Sequence, residues 1–161
     1  MSAPNNPYDP VAVSTLEPEA VDAMVAAGAD AYLAATPQAA EGADAVVFPG
    51  QGAMADCMDC IRRADFESFL KQWIVADLPF LGVCMGLQVL FERSEEADRP
   101  GLAIFPGVVR RFPSQPGLRI PHMGWNDLII DHPHPVLEGL KTGDHAYFVH
   151  SYHFRVTNPA E

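Results

Sequence analysis

Cys84 stands in the stretch Gly82-Val83-Cys84-Met85-Gly86, a G-x-C-x-G spacing. An apolar run, "LPFLGV", leads into it, and a run with helical spacing, "MGLQVLFERS", leaves it. This is the arrangement of a nucleophile elbow with cysteine in place of serine. A sharp strand-to-helix turn pushes the side chain into a cleft. Flanking glycines let the strand and the helix approach closely. The first N–H groups of a helix favour an anion at that point. The N–H of Met85 would then point at an oxyanion formed on a bound acyl group. The plainer use of a cysteine is as a small buried hydrophobe. That use needs neither the two glycines nor the strand-to-helix junction.

A second stretch, "FPGQGAM" at 48–54, ends a strand in Pro-Gly-x-Gly and opens a helix. Such a loop offers backbone N–H groups to an anion. Alone it is a turn signal; beside an elbow it becomes an oxyanion-hole partner. Other candidates carry less. Cys57-Met58-Asp59-Cys60 is a C-x-x-C, but it lies inside a helical pattern, and no second pair completes a zinc site. "DHPHPVLEGL" has His132 and His134 in a Pro-rich loop ahead of a short helix. Arg110-Arg111 reads as a solvated strand end, and "FERSEEADR" as a solvated helix end and loop.

The elements that must hold these residues follow from periodicity. Residues 1–17 are Pro-rich and irregular, with at most a short strand at 11–13. Pro18 starts a helix that Gly28 closes. "ADAVVFPG" (43–50) is a strand ended by Pro49 and Gly50. Residues 53–77 have the spacing of a helix, and 79–83 form a second, buried strand. A helix is expected over 85–94. Alternating helices and strands argue for a parallel sheet covered by helices, with ligands bound beyond the carboxyl ends of the strands. Gly50–Gly52 and Cys84 both lie at such ends. The second half is β-rich, with short, partly antiparallel strands and a loop at "DHPHPVLEGLKTGD".

The chain has 161 residues, 48% hydrophobic and 19% charged, which fits a single globular domain over 1–161. A net charge of −11 makes it a poor partner for a phosphate backbone, so no nucleic acid is expected. No window is long and apolar enough for a membrane span, and the N-terminus lacks the pattern of a signal peptide. Three cysteines suit reduced thiols, so a cytoplasmic protein is expected.

Together the two loops resemble those of the class I (triad) glutamine amidotransferases. "LPFLGVCMGLQVLFERSEE", "GLAIFPGVVRRFP", "IPHMGWND" and "YFVHSYHF" occur in order. They are most similar to the glutaminase subunits of imidazole glycerol phosphate synthase, over residues 18–156. The resemblance implies a flavodoxin-like α/β fold, a parallel sheet with helices on both faces. It implies hydrolysis of L-glutamine through a γ-glutamyl thioester on Cys84, with ammonia passed to a TIM-barrel cyclase subunit in histidine biosynthesis. By position, Gly50 and Gly52 match the oxyanion loop, with Met85 as the other donor. Gln88 matches the residue that holds the amino-acid end of the substrate. Ser151 and Tyr152 match the strand lining the glutamine pocket. Met123, Gly124 and Trp125 match the segment that faces the cyclase. No cofactor and no metal are implied.

The match departs from the family in two places. The family carries its general base and orienting carboxylate in a His-Pro-Glu motif, and no His-Pro-Glu occurs in these 161 residues. Its first strand, with an Asp-Tyr-Gly turn, is replaced by the Pro-rich segment. The expectation is therefore a domain incomplete at both ends. Of the six histidines, His150 and His153 are nearest the pocket strand by resemblance. Two other readings stay open: a catalytically incomplete, cyclase-binding fragment, and a relative of the elbow-cysteine peptidases and chaperones.

Overall fold

The computed structural model describes residues 18–154; the expectations for 1–17, including a strand at 11–13, fall outside them. The chain divides into two compact units. One runs to Arg110 and takes in Phe154; the other is Arg111–His153.

In the first unit, α1 (Pro18–Ala26) begins with Pro18 and stops where Gly28, at φ +93°, donates its N–H to Val25 O at 2.9 Å. A one-turn helix, α2 (Pro37–Ala40), is capped by Thr36, whose side chain accepts from Ala39 N. Strand β1 (Val46–Gly50) pairs in parallel with β2 (Phe80–Cys84), from Val46 opposite Phe80 to Gly50 opposite Cys84. Pro49 and Gly50 are therefore the last pairs of β1 rather than its terminators.

Residues 53–77 form two helices where one was expected, α3 (Met54–Arg63) and α4 (Phe66–Val75). Asp65 has φ +57°, which an α-helix does not accommodate, so the chain turns there. Each half keeps a helical apolar stripe. Met54, Cys57, Met58 and Ile61 are buried on α3, and Phe66, Leu70 and Trp73 on α4. All of these but Trp73, with Phe48, Met85, Val89, Leu90 and Leu102, make one apolar core. Trp73 Nε1 donates to Pro79 O at 3.0 Å and ties α4 to the entry of β2.

The helix expected over 85–94 is shorter than its pattern. Helix α5 covers Met85–Gln88 alone, and 91–94 is strand β3 (Phe91–Ser94). The reason is competition for carbonyls. Val89 O accepts from Leu102 N at 2.7 Å, and Leu90 O accepts from Ile104 N at 2.8 Å and Phe105 N at 3.1 Å. Carbonyls claimed by a distant segment cannot continue a helix. Strand β3 pairs antiparallel with β4 (Ala97–Pro100) and parallel with β5 (Phe105–Arg111). "FERSEEADR" is thus a hairpin, β3 and most of β4 with the turn between them, not a helix end. Strand β2 was expected to be buried; among the described residues Leu81 and Val83 are each 45% exposed.

The second unit is built on β6 (His122–Asp127) and β7 (His145–His150), an antiparallel pair in unbroken register from His122 opposite His150 to Asp127 opposite His145. The connecting loop contains a 3₁₀ turn, Pro135–Leu137, where the expected loop leads into a short helix; His134 Nδ1 accepts from Val136 N. After a bend at Ser151 the chain resumes as β8 (Tyr152–His153), and Ser151 O accepts from Phe112 N at 3.0 Å.

Candidate functional site

Cys84 is the last residue of β2 and the residue before α5, and its side chain is exposed. Its backbone has φ +55° and ψ −117°. A side-chain-bearing residue held there carries strain of about 1–3 kcal/mol, which persists only where the surroundings enforce it.

Three glycines enforce it. A Cβ on Gly86 would overlap the carbonyl of Phe48 in β1. A Cβ on Gly82 would come within 2.9 Å of Gly86 O and 3.0 Å of the Leu87 backbone. One on Gly50 would come within 2.7 Å of Gly86 N. So β1, β2 and the start of α5 meet backbone to backbone, and any side chain at these points would pry the elbow open. This is why the thiol lies between two glycines.

The other expected residues of this unit fall around that junction. Gly50 is buried and pairs with Cys84. Gly52, at φ +78°, is exposed, in open space at the turn into α3. Met85, buried, is the first residue of α5, where an amide has no intrahelical acceptor. With only one turn, α5 offers N–H groups rather than a large dipole. Gln88 lies one turn after Met85 and is 7% exposed. Its Oε1 is buried with no hydrogen-bond partner among the described residues. An unpaired buried amide oxygen costs about 1–3 kcal/mol, so such an atom is suited to receive a ligand's N–H. Ser151 and Tyr152, both half-buried, belong to the second unit, as do all six histidines.

Glu96 is a contributor that the sequence hid. Its Oε2 accepts from Met54 N at 2.9 Å, capping α3 where Ala53 supplies no side-chain cap. Buried Ser94 orients it by accepting from Glu96 N at 3.1 Å. The carboxylate therefore fixes the far end of the Gly50–Gly52 loop. The contact spans 42 residues, which local pattern does not register.

Cys57 and Cys60 are buried on α3. Burial, with Cys60 beside it, pushes the Cys57 thiol up to about 12, so it stays protonated and inert. Among the described residues no group of three or more His, Cys, Asp or Glu is arranged to hold a metal. No helix among them is long and apolar enough to cross a membrane.

The family model for class I glutamine amidotransferases matches residues 24–161. Curated relatives include the imidazole glycerol phosphate synthase subunit HisH of Chromobacterium violaceum, 45% identical over 138 residues, covering 83% of this chain and 65% of that protein. The HisH of a Synechococcus strain is 46% identical over 135 residues, covering 83% and 62%. The HisH of Cereibacter sphaeroides is 48% identical over 123 residues, covering 74% and 58%. This chain thus spans less than two thirds of the length of these relatives. A crystal structure of a glutamine amidotransferase shares the fold, with a TM-score of 0.67 at 21% identity, over 88% of this chain and 70% of that one.

Proposed function

The chain belongs to the class I glutamine amidotransferase family, and on that premise we propose that it acts as the glutaminase subunit of a cytoplasmic imidazole glycerol phosphate synthase. Its two compact units are parts of one amidotransferase domain on this reading. The observation that carries the reading is the exposed thiol of Cys84 at φ +55°, held by Gly50, Gly82 and Gly86.

The roles follow from that geometry. The Cys84 thiolate attacks the carboxamide carbon of L-glutamine. The tetrahedral oxyanion is met by N–H groups of Met85 and of the Gly50–Gly52 loop. The leaving nitrogen takes a proton from solvent water, collapse releases ammonia and leaves a γ-glutamyl thioester, and water hydrolyses that thioester to glutamate and the free Cys84 thiol. Gln88 Oε1 accepts from the amino-acid end of the substrate, and the family resemblance assigns Ser151 and Tyr152 to substrate contact through their backbone. The reading assigns no general base. The ammonia passes to a TIM-barrel cyclase subunit. On β6 and β7 one face carries Met123, Trp125, Tyr147 and Val149, all at least half exposed, with Trp125 at 69%. A large aromatic so exposed, packed edge-on against Tyr147 at 5.5 Å, suits a protein interface.

The test uses 6-diazo-5-oxo-L-norleucine, a glutamine analogue that alkylates a nucleophile placed at the carboxamide position. Mass spectrometry should find one adduct, on Cys84, slowed by L-glutamine and absent from Cys84→Ala. An adduct on Cys57 or Cys60, or labelling indifferent to glutamine, would refute the reading. For the partner, Trp125→Ala should weaken binding of the cyclase by about 2 kcal/mol or more, measured by calorimetry.

A further inference from the structure

His122 and His150 are direct cross-strand partners on β6 and β7. Their rings meet through His122 Nδ1 and His150 Nε2, 3.2 Å apart. The outward contacts bear on what the facing nitrogens carry. His150 Nδ1 lies 3.0 Å from Tyr152 O, which can only accept, so that nitrogen bears the hydrogen. His122 Nε2 faces the side-chain amide of Asn126, with Oδ1 at 3.4 Å. In its neutral form that tautomer of His150 turns the Nε2 lone pair into the 3.2 Å gap, where a proton carried by His122 Nδ1 or a metal ion can sit.

We propose that His122 and His150 form a two-imidazole chelating site for a divalent d-block cation of the zinc or copper class. Three observations support a metal ion. A tetrahedral Zn²⁺ with bonds of about 2.0–2.1 Å sets two nitrogen ligands about 3.3 Å apart, close to the separation found. His150 gives its remote N–H to the Tyr152 carbonyl and His122 has the Asn126 side-chain oxygen within reach, the arrangement that fixes tautomer and raises basicity in metal-ligating histidines. Aromatic neighbours hold both ring planes: Phe148 stacks on His122 at 5.5 Å, and Phe112 packs edge-on to His150 at 4.9 Å. Imidazole pairs suit Zn²⁺, Cu²⁺ and Ni²⁺ better than Mg²⁺ or Ca²⁺. With two protein ligands, water completes the coordination, so the ion is exchangeable rather than structural. Bound at Nε2, it polarises the His150 ring and strengthens the Nδ1–H bond to Tyr152 O, stiffening the bend at Ser151.

The competing pair is His132 and His134, both exposed in the long loop. The test uses the full chain with Cys84 first capped by iodoacetamide, so that its thiol does not compete. Zn²⁺ is titrated while the imidazole nitrogens are followed by long-range ¹H–¹⁵N correlation. The expected result is a shift of His122 Nδ1 and His150 Nε2 at one equivalent, with His132 and His134 unmoved. By calorimetry, His122→Asn and His150→Asn each lower Zn²⁺ affinity about tenfold or more, and Asn126→Ala does so by a similar factor through loss of its acceptor. A double His132→Asn, His134→Asn variant binds as before. Shifts confined to His132, His134 or His145 overturn the proposal, as does a pair that shares only a proton and ignores millimolar Zn²⁺. The resonance experiment uses unaltered histidines, so it decides the question even where a variant misfolds.

Discussion

Cys57 and Cys84 lie in the same unit and start from the same side chain, yet their surroundings give them opposite properties. Cys57 sits on the apolar stripe of α3 among Met54, Met58 and Ile61, and burial holds its thiol protonated. Cys84 sits at the end of a strand, exposed, on a backbone that glycine contacts force into a strained region. A C-x-x-C looks more reactive on paper than a lone cysteine. The contrast teaches that thiol reactivity belongs to the backbone that presents the residue. Helical packing hides two thiols, and a glycine-lined junction displays the third.

The contrast can be broken or sharpened in four ways. The largest effect is expected at high pH. Because the folded Cys57 thiol is raised to about 12 from an ordinary 9.0, its burial contributes stability that is complete below pH 9. That contribution is lost as pH rises from 9 through 12, amounting to about 4 kcal/mol. Urea unfolding across this range should show the slope, and Cys57→Ala should remove that part of it. Next, Gly86→Ala drives a methyl group into the β1 backbone and should destabilise the fold by about 3 kcal/mol. A thermal melt equal to that of the parent chain would contradict the account of the elbow. Third, Cys84→Gly relieves the positive φ, whereas Cys84→Ala keeps a Cβ there. The glycine variant should be more stable by about 1 kcal/mol in denaturant titration. The smallest effect concerns the support of the α3–α4 corner that buries Cys57. Glu67 bonds Lys71 at 2.7 Å and Arg62 at 3.1 Å, and the Lys71 bond foremost holds its carboxyl below the usual range. The ion pairs are partly solvated, so Glu67→Gln should cost under about 1 kcal/mol. That loss should be present at neutral pH and vanish as pH falls through the lowered carboxyl range, as followed by melts between pH 7 and pH 3.

Much of the α/β order was legible because it rests on local pattern. The α1 boundaries, the two parallel strands and the position of Cys84 at a strand-to-helix junction all followed from periodicity and from Pro and Gly placement. The misreadings share a cause. The run from 85 to 94 has helical spacing, but segment 102–105 takes the carbonyls of Val89 and Leu90, so the helix stops at Gln88. Residues 53–77 also have helical spacing throughout, yet the chain turns at Asp65, φ +57°, and both halves pack into one core. Glu96 looked like one charge in a solvated run, and only the fold brings it to the start of α3.

By itself the sequence determined which residues are able to react and which local geometry they prefer: a thiol between glycines, a Pro-Gly-Gln-Gly turn, a glutamine one turn on. These depend on neighbours within a few positions, where sterics and hydrogen-bonding patterns are encoded directly. The tertiary structure decided which of those preferences prevail. It set how far α5 runs, which carboxylate anchors the loop, and why Gly50, Gly82 and Gly86 are required together. Those outcomes rest on contacts between backbone atoms far apart in the chain, and a carbonyl taken by a remote N–H, or a methyl group with no room, leaves no periodic trace in the order of residues.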